Sequence, residues 1–372
     1  MPNPAEVAEI VVNGTRFRDW TTFKLEMDYK TLTRSCTFTA TEDAGKTGNY
    51  FKVLRIKPGD VCQVLLAGQR MLTGYVYNRQ ASYNAHMHGV MLTAASKTGD
   101  LTQGSVPMKD TQFRNNAFPA IAKKLMAPFG LDLKVTNPPP GFDKKFRSLS
   151  AFPGESVWSF LERAGRMRGL FLHDDESGNV VARQGTTDGG AMLQEGRNIL
   201  EANCVINDER LFSKLVMYGQ HSGHDQRWGD EARNPAAEVN GQSQRYREKH
   251  LPLEDQSDDG EDVRRRAAHE RNELEGAVIE ATIKTQGWHK PGGGLWNFGE
   301  RITVNSPMLL LENHTLAVKS VIFQQDNAGG TTTMLSLCLP QFLSSLDSTS
   351  ANGGTGNLLP GSRPSPARTL NQ

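Results

Sequence analysis

The sequence predicts a mainly β protein in which two related β modules flank a small α/β domain. Short runs of Val, Thr, Ile and Leu recur between turn residues, and the chain contains 36 Gly and 18 Pro. Long helical patterns are few. A six-residue motif near residue 60 returns near residue 300, which favours duplication of one β module.

Length and charge limit the functional classes. A chain of 372 residues normally contains two or three domains. Its 42 basic and 41 acidic side chains nearly cancel, so we expect no nucleic-acid binding without a strong local cluster. No apolar run approaches the roughly 20 residues of a membrane helix, so we expect no membrane insertion. The N-terminus lacks a secretory pattern, which predicts synthesis in a cytoplasm.

The cysteines show neither C-x-x-C spacing nor neighbouring His pairs, which argues against a zinc site or a disulfide framework. They are Cys36, Cys62, Cys204 and Cys338. We expect buried thiols in a reducing compartment.

The pattern divides the chain into three domains and a tail. Residues 1–99 form the first β module, with strand-like runs between Gly, Asn, Asp and Lys turns. Residues 100–204 form the α/β domain, and residues 205–343 form the second β module. Residues 344–372 are rich in Gly, Ser and Pro, which predicts disorder.

The α/β domain contains two predicted helices and a hairpin. The first helix is expected within residues 111–130 and the second within residues 153–169. The second has an apolar face that includes Val157, Phe160 and Leu161, and Gly169 ends it. Residues 170–185 then read as two short strands around a polar turn.

The second β module is predicted to carry a polar insertion. Residues 210–220 read as a strand, and residues 221–262 are polar and typical of an insertion or mobile loop. Residues 261–275 predict a mixed-charge helix on a surface, since they have little to bury. Strand patterns resume from 277 to 339.

The repeated motif is "GDVCQV" at residues 59–64 and "GERITV" at residues 299–304. Both places continue as a strand, a polar turn and another strand. Val76 precedes Met91 by 15 residues, and Val321 precedes Met334 by 13, which makes these two pairs the expected equivalents. Two similar modules per chain predict that three chains in a ring would present six modules.

Candidate catalytic and ligand motifs are weak. Residues 40–47, "ATEDAGKT", resemble a relaxed P-loop, but the helix that should follow is missing, so a hairpin tip is favoured. His86 and His88 could share one strand face, yet no third metal ligand accompanies them. Residues 173–179 lack the ligand spacing of a calcium loop and predict a polar hairpin turn.

The segment at residues 220–231 places His221 and Ser222 beside acidic residues, but it lacks the G-x-S-x-G pattern and a rigid support. We therefore predict no catalytic, cofactor-binding or metal-binding residues, and no enzymatic activity.

Several longer motifs together resemble the Mu-like phage baseplate hub, or 43 kDa tail protein, family. They include "IKPGDVCQVLLAGQRMLTGYV", "FPGESVWSFLERAGRMRGLFLHDDESGNVVARQG" and "TQGWHKPGGGLWNFGERITVNSP", and they occur in the family's order up to about Pro340. The resemblance implies similarity to the T-even central hub and to the N-terminal part of type VI secretion spike proteins. It further implies two β-barrels per chain and a homotrimeric pseudo-sixfold ring.

On that resemblance, the ring would join the sixfold tail tube to the threefold central spike, within the virion baseplate. Trp288 and Trp296 would anchor the second barrel, with a core role favoured for both. Two alternatives stay open. A carbohydrate-binding β protein would use exposed aromatics such as Trp228, and a tail-associated cell-wall hydrolase would need a further domain.

Overall fold

The computed structural model describes residues 6–18, 20–42, 55–84, 88–219, 236–253 and 260–344. These residues form a mainly β structure with four α-helices. The strands β1 to β21 are, in chain order, Ala8–Val12, Thr15–Phe17, Thr22–Asp28, Ser35–Glu42, Val61–Leu66, Gln69–Tyr83, His88–Ser96, Gln112–Ala117, Leu133–Thr136, Lys145–Ser150, Phe171–Asp174, Val180–Arg183, Thr187–Gln194, Glu201–Ile206, Lys214–Tyr218, Ala236–Asn240, Glu248–Pro252, Ile279–Gln286, Glu300–Ser306, Leu311–Asp326 and Gly330–Cys338. The helices α1 to α4 are Gly99–Gln103, Phe118–Met126, Val157–Met167 and Gly260–Gly276.

Thirteen strands form one large sheet. Its main path runs β14, β18, β21, β20, β3, β4, β7, β6, β5, β1, β2, while β19 pairs with β20 and β13 pairs with β19. Strands such as β3 form because apolar and polar residues alternate: Phe23, Leu25 and Met27 are buried, whereas Thr22 and Lys24 are exposed. The apolar faces of all these strands share one core.

The α/β domain has a separate core. Strands β8 and β10 pair, and β9, β12 and β11 form a second small sheet under α2 and α3. Helix α3 confirms the second predicted helix: the Ser156 hydroxyl accepts the Ser159 N–H at its start, and Gly169 with φ +68° follows its end. The hairpin of β11 and β12 is also confirmed.

The first predicted helix is partly wrong. Residues Gln112–Ala117 form β8, and α2 begins only at Phe118. Asn115 adopts φ +56°, which an α-helix does not allow, and Pro119 favours a position in a first helical turn. The strand therefore ends where the proline makes a helix start favourable.

Part of the predicted polar loop is ordered. Ala236–Asn240 and Glu248–Pro252 flank β15 on its two sides as a three-stranded sheet. Ala237 and Val239 are buried and alternate with the exposed Ala236, Glu238 and Asn240, so one face of the strand is buried by two apolar residues. The expectation of a loop throughout 221–262 is therefore wrong for these two strands.

The mixed-charge helix is confirmed as a helix, but its predicted surface position is wrong. In α4, Val263 and Ala267 are buried, and so are polar residues such as Arg266, His269 and Asn272. The helix packs against α3, the β15 sheet and the segment Pro340–Leu343. The buried Asp262 lies beside Arg168, which directly follows the preceding helix α3, a partner that a single helical pattern does not reveal.

Some predicted features lie outside the described residues. These are most of the P-loop-like segment, His86, residues 220–231 with Trp228, and residues 345–372. In the part of the chain that the structure describes, no helix is long and apolar enough to cross a membrane.

Candidate assembly interface

The two β modules share one strand order. The six strands β1, β3, β4, β5, β6 and β7 lie across the sheet in the order β3, β4, β7, β6, β5, β1. The strands β13, β14, β18, β19, β20 and β21 lie in the matching order β14, β18, β21, β20, β19, β13. One difference is that β1 runs antiparallel to β5, whereas β13 runs parallel to β19. Hydrogen bonds between the described strands close neither set into a barrel.

A glycine contact repeats in both modules. The Gly59 N–H donates to the Val76 carbonyl, and the Gly299 N–H donates to the Val318 carbonyl, each over 2.7 Å. Both glycines have positive φ, at +93° and +75°. A bulge follows each valine, since the pairing of β6 with β7 and of β20 with β21 shifts there.

The repeat predicted from sequence therefore agrees with the structure at its glycines, but one predicted equivalence is wrong. Val318, not Val321, corresponds to Val76, because Val318 accepts the glycine bond and precedes the bulge. Met91 and Met334 do correspond. Met91 lies opposite Gln80, four residues after Val76, and Met334 lies opposite Ile322, four residues after Val318.

The modules meet edge to edge. Strand β3 of the first module pairs antiparallel with the second half of β20, from Ser320 opposite Asp28 to Asp326 opposite Thr22. The chain therefore joins its two modules through main-chain hydrogen bonds, which hold their relative orientation far more tightly than a flexible linker could.

The predicted anchors of the second module are core residues. Trp288 and Trp296 are almost completely buried, which confirms the core role. The Trp288 ring lies 5.8 Å from Phe23 and 6.4 Å from Phe323, so it packs beneath the junction of the modules. Its indole N–H donates to the Gln324 carbonyl over 3.2 Å.

The start of the chain strengthens this junction. The buried Glu6 carboxylate accepts the Trp288 backbone N–H over 2.8 Å and lies 3.0 Å from the His289 ring. Gln325 donates to the Glu6 carbonyl. Residues 282 positions apart are thus held together at the point where the modules join.

A buried ion pair fixes the α/β domain to the first module. The Arg34 Nε lies 3.1 Å from the Asp174 Oδ1, and Arg34 also donates to the Met71 carbonyl. Burial raises the Asp174 pKa to about 6, although the nearby Arg34 charge opposes that shift. No local pattern marks this pair, because its members are 140 residues apart.

Aromatic and imidazole rings from both modules, the α/β domain and α4 meet beside this ion pair. Tyr29 packs edge-on against Phe171 and Phe298, with centroids 5.4 and 6.0 Å apart. His173 lies 4.9 Å from Phe298, and His269 of α4 lies 4.8 Å from Phe171. Burial lowers the pKa of His173 to about 4 and lowers that of His269 well below its usual value. Both imidazoles are therefore neutral packing groups near pH 7.

A second buried ion pair fixes α4 to the α/β domain. The Arg168 Nη1 lies 2.7 Å from the Asp262 Oδ1, and the guanidinium carbon lies 3.8 Å from the Phe146 ring centroid. Arg168 Nε donates to the Lys144 carbonyl. Two modules, the α/β domain and α4 are therefore joined by buried contacts at every junction.

Within the ranges described, no group of three or more His, Cys, Asp or Glu is placed to hold a metal ion. Two cavities measure about 90 and 190 Å³, below the roughly 300–1,000 Å³ of small-molecule sites. The segment at residues 173–179 is a hairpin turn in which Asp175 accepts the Ser177 and Asn179 N–H groups. What the arrangement supports best is a rigid frame.

Comparisons with known proteins match this architecture. Residues 7–94 match the family model described as Mu phage baseplate assembly protein GpP-like, N-terminal. Residues 98–184 match the model described as baseplate hub protein gp44-like, second domain. Over 316 residues the chain is 24% identical to the baseplate hub protein gp44 of Escherichia phage Mu, covering 81% of this chain and 82% of that protein.

Solved structures show the same fold. The 43 kDa tail protein of prophage MuSo2 from Shewanella oneidensis superposes with a TM-score of 0.77 at 24% identity, covering 91% of this chain and all of that one. The E. coli c3393 protein, a component of the type VI secretion system, superposes with a TM-score of 0.56 at 11% identity, covering 89% and 76%. That protein is described as structurally similar to the T4 tail proteins gp27 and gp5.

Proposed function

The chain is a relative of the Mu-like phage baseplate hub proteins, as its sequence motifs predict, and we propose that it forms the trimeric hub of a contractile phage tail or phage-like particle. Three copies would form a ring of six similar modules, with a threefold axis and approximate sixfold symmetry. The role is structural rather than enzymatic.

The junction between β3 and β20 carries this proposal. It joins two modules of one strand order edge to edge, so the same relationship repeated between chains would generate a ring. The buried pairs Arg34 with Asp174 and Arg168 with Asp262 support it further, since a ring needs modules held at a fixed angle. In the assembled ring we propose that each module acts as one β-barrel. The proposed domains are residues 1–99, 100–204 and 205–343, except that β13 and β14 pair with strands of the second module and are counted with it.

The ring's proposed partners are the tail tube on one side and the central spike on the other. A face with approximate sixfold symmetry would match a sixfold tube, and the exact threefold axis would match a threefold spike. This assignment rests on the phage Mu hub protein and on the likeness to a type VI secretion component. It places the protein in the tail baseplate of the particle.

Light scattering over a range of concentrations tests the ring. We expect a mass near three times 41.0 kDa, and class averages of negatively stained particles with six similar peripheral densities around a threefold axis. A monomer at every concentration, both alone and mixed with the cognate spike protein, would contradict the proposal.

A further inference from the structure

The junction between the two modules of one chain provides a template for the contact between chains. In β20, the residues after the bulge pair with β3, so that Phe323 lies opposite Leu25. If the modules are equivalent, the strand of the first module that corresponds to β20 should make the same contact with the strand of the second module that corresponds to β3. In the proposed ring these two strands belong to neighbouring chains.

The counterpart of β20 is β6. Both strands follow a Gly-to-Val hydrogen bond and a bulge, at Val76 in β6 and at Val318 in β20. Ala81 lies five residues after Val76, and Phe323 lies five residues after Val318. Ala81 is therefore the counterpart of Phe323.

The counterpart of β3 is β14, and the ladders give the register. In the first module, Val76 lies opposite Ala94, Ala94 lies opposite Cys36, and Cys36 lies opposite Leu25. The next module repeats this path with different residues.

In the second module, Val318 lies opposite Leu337, and Leu337 lies opposite Ala281. Ala281 in turn lies opposite Cys204. Cys204 is therefore the counterpart of Leu25, and the two modules agree at every step of the path.

Within the described ranges, each of these two counterpart strands has at least part of one edge that pairs with no other strand. Among the strands that the structure describes, β14 pairs only with β18. At Gln80–Ser82, β6 pairs with β7 on one side, and the described strands supply no partner for its other side. Natural proteins usually cover or protect such edges, because an uncovered edge can pair with another chain.

Burial shows what β14 lacks. In β3, the inward-facing Phe23, Leu25 and Met27 are at most 3% exposed, since β20 covers their edge. In β14, all three inward-facing residues, Ala202, Cys204 and Ile206, are only half-buried, and Val205 on the other face is 54% exposed. The inward face of β14 is thus incomplete in a single chain.

We infer that β14 of one copy pairs antiparallel with the second half of β6 of the next copy, with Cys204 opposite the neighbour's Ala81. This inference rests on the proposed ring and specifies its interface. The contact is heterologous, so three repeats close the ring and leave none of these edges open.

The side chains suit this register. Following the template, Ser82 would lie opposite Asn203, as Gln324 lies opposite Lys24. Gln80 would likewise lie opposite Val205. These pairs bring no like charges together. Like charges directly opposite each other would oppose strand pairing.

A single substitution tests the register, because Cys204 is a native thiol. Directly opposite residues of antiparallel strands have Cα atoms about 4.5–5.5 Å apart, within the range of a disulfide. In Ala81→Cys, treatment with diamide should join the introduced thiol of one chain to Cys204 of the next, with both thiol protons and two electrons passing to diamide. Burial raises the pKa of the Cys204 thiol, so oxidation is run near pH 9.

We expect non-reducing gels of Ala81→Cys to show more than half of the chains in covalent dimers and trimers, and dithiothreitol should return them to the single-chain mass. Two matched controls should stay at the single-chain mass: Ala81→Cys with Cys204→Ser, and Ser82→Cys, which faces the other side of the strand. A second pair, Gln80→Cys with Val205→Cys in the Cys204→Ser background, should also cross-link.

Light scattering of the same samples separates two kinds of failure. A trimer in which neither engineered pair cross-links would overturn the strand pairing and leave the proposed ring in place. A monomer at every concentration, both alone and with the cognate spike protein, would overturn the ring and the strand pairing together. Cross-linking by Ser82→Cys as strong as by Ala81→Cys would show that the register is wrong.

Discussion

Arg34 and Asp174 form an almost completely buried ion pair that holds the first β module to the α/β domain, with Nε and Oδ1 3.1 Å apart. Replacing Arg34 with Met leaves a buried carboxylate without its charge partner. We expect the variant to lose about 3–5 kcal/mol of unfolding free energy at pH 7.5, measured by urea denaturation.

The pH dependence of this loss has a defined sign. Burial raises the Asp174 pKa to about 6, and loss of Arg34 removes a charge that lowers it. A group whose pKa is raised on folding contributes stability that is lost as pH rises. The loss of unfolding free energy in Arg34→Met should therefore be smaller near pH 5 than at pH 7.5. The double variant Arg34→Met/Asp174→Leu should lose less unfolding free energy at pH 7.5 than Arg34→Met alone. A defect that grows on acidification would contradict this account.

The pair of Arg168 and Asp262 offers a test with a neighbouring control. Asp262→Ala leaves the buried Arg168 guanidinium without its carboxylate, which should cost about 3–5 kcal/mol. Glu261, the adjacent residue, has a side chain that is 65% exposed, and Glu261→Ala should cost at most about 0.5 kcal/mol. Thermal unfolding of the two variants side by side measures the difference, and equal losses would count against a clamping role for Asp262.

The two core tryptophans should differ on replacement by phenylalanine. The Trp288 indole N–H donates to the Gln324 carbonyl, whereas the buried Trp296 Nε1 has no acceptor among the described residues. Trp288→Phe loses a hydrogen bond and leaves a carbonyl with one fewer donor, so it should cost about 1 kcal/mol more than Trp296→Phe. Chemical denaturation of the two variants compares their unfolding free energies, and a larger loss for Trp296→Phe would contradict this explanation.

The repeated glycines provide another matched pair. Gly59→Ala and Gly299→Ala both place a Cβ on a residue with positive φ, which costs roughly 1 kcal/mol. At Gly299 the added carbon would also lie 2.9 Å from the ring of Tyr29, whereas at Gly59 nothing lies within 4 Å. The melting temperature should therefore fall further for Gly299→Ala. Equal shifts would mean that the Tyr29 ring moves aside easily.

Glu275 should make stability depend on pH. Burial raises its pKa to about 7, against the opposing effects of Arg271 and the Gln242 N–H. The stability that Glu275 contributes to the folded state is fully present below the unfolded pKa of about 4.3 and is lost as pH rises through about 7. Glu275→Gln mimics the protonated form, so its stability relative to the natural protein should rise by roughly 1–3 kcal/mol between pH 5 and pH 8. A relative stability independent of pH would refute this.

Local patterns predicted the features that depend on neighbouring residues. The repeated glycine motif was recognisable because turn chemistry and strand alternation are local, and the helix after Ser156 carries its own cap and stop. The shift from Val321 to Val318 was not recognisable, because the glycine hydrogen bond and the bulge that identify the equivalent valine depend on pairing with other strands and not on the local apolar pattern.

Contacts between distant residues were beyond such patterns. Helix α4 reads as a surface helix because the partner of Asp262, Arg168, lies 94 positions earlier. Strands β16 and β17 were missed for the same reason, since their only pairing partner among the described strands is β15. At the candidate interface, β14 is predictable as a strand, but its open edge follows only from the completed sheet.

The pairing of β3 with β20 has a consequence for synthesis on the ribosome. Asp28 is translated almost 300 residues before its partner Ser320. At a translation rate of about 5–20 residues per second, the strand that covers the edge of β3 is synthesised roughly 15–60 s after β3 itself. During that time the edge of β3 in the nascent first module is uncovered, and an uncovered strand edge can pair with other chains.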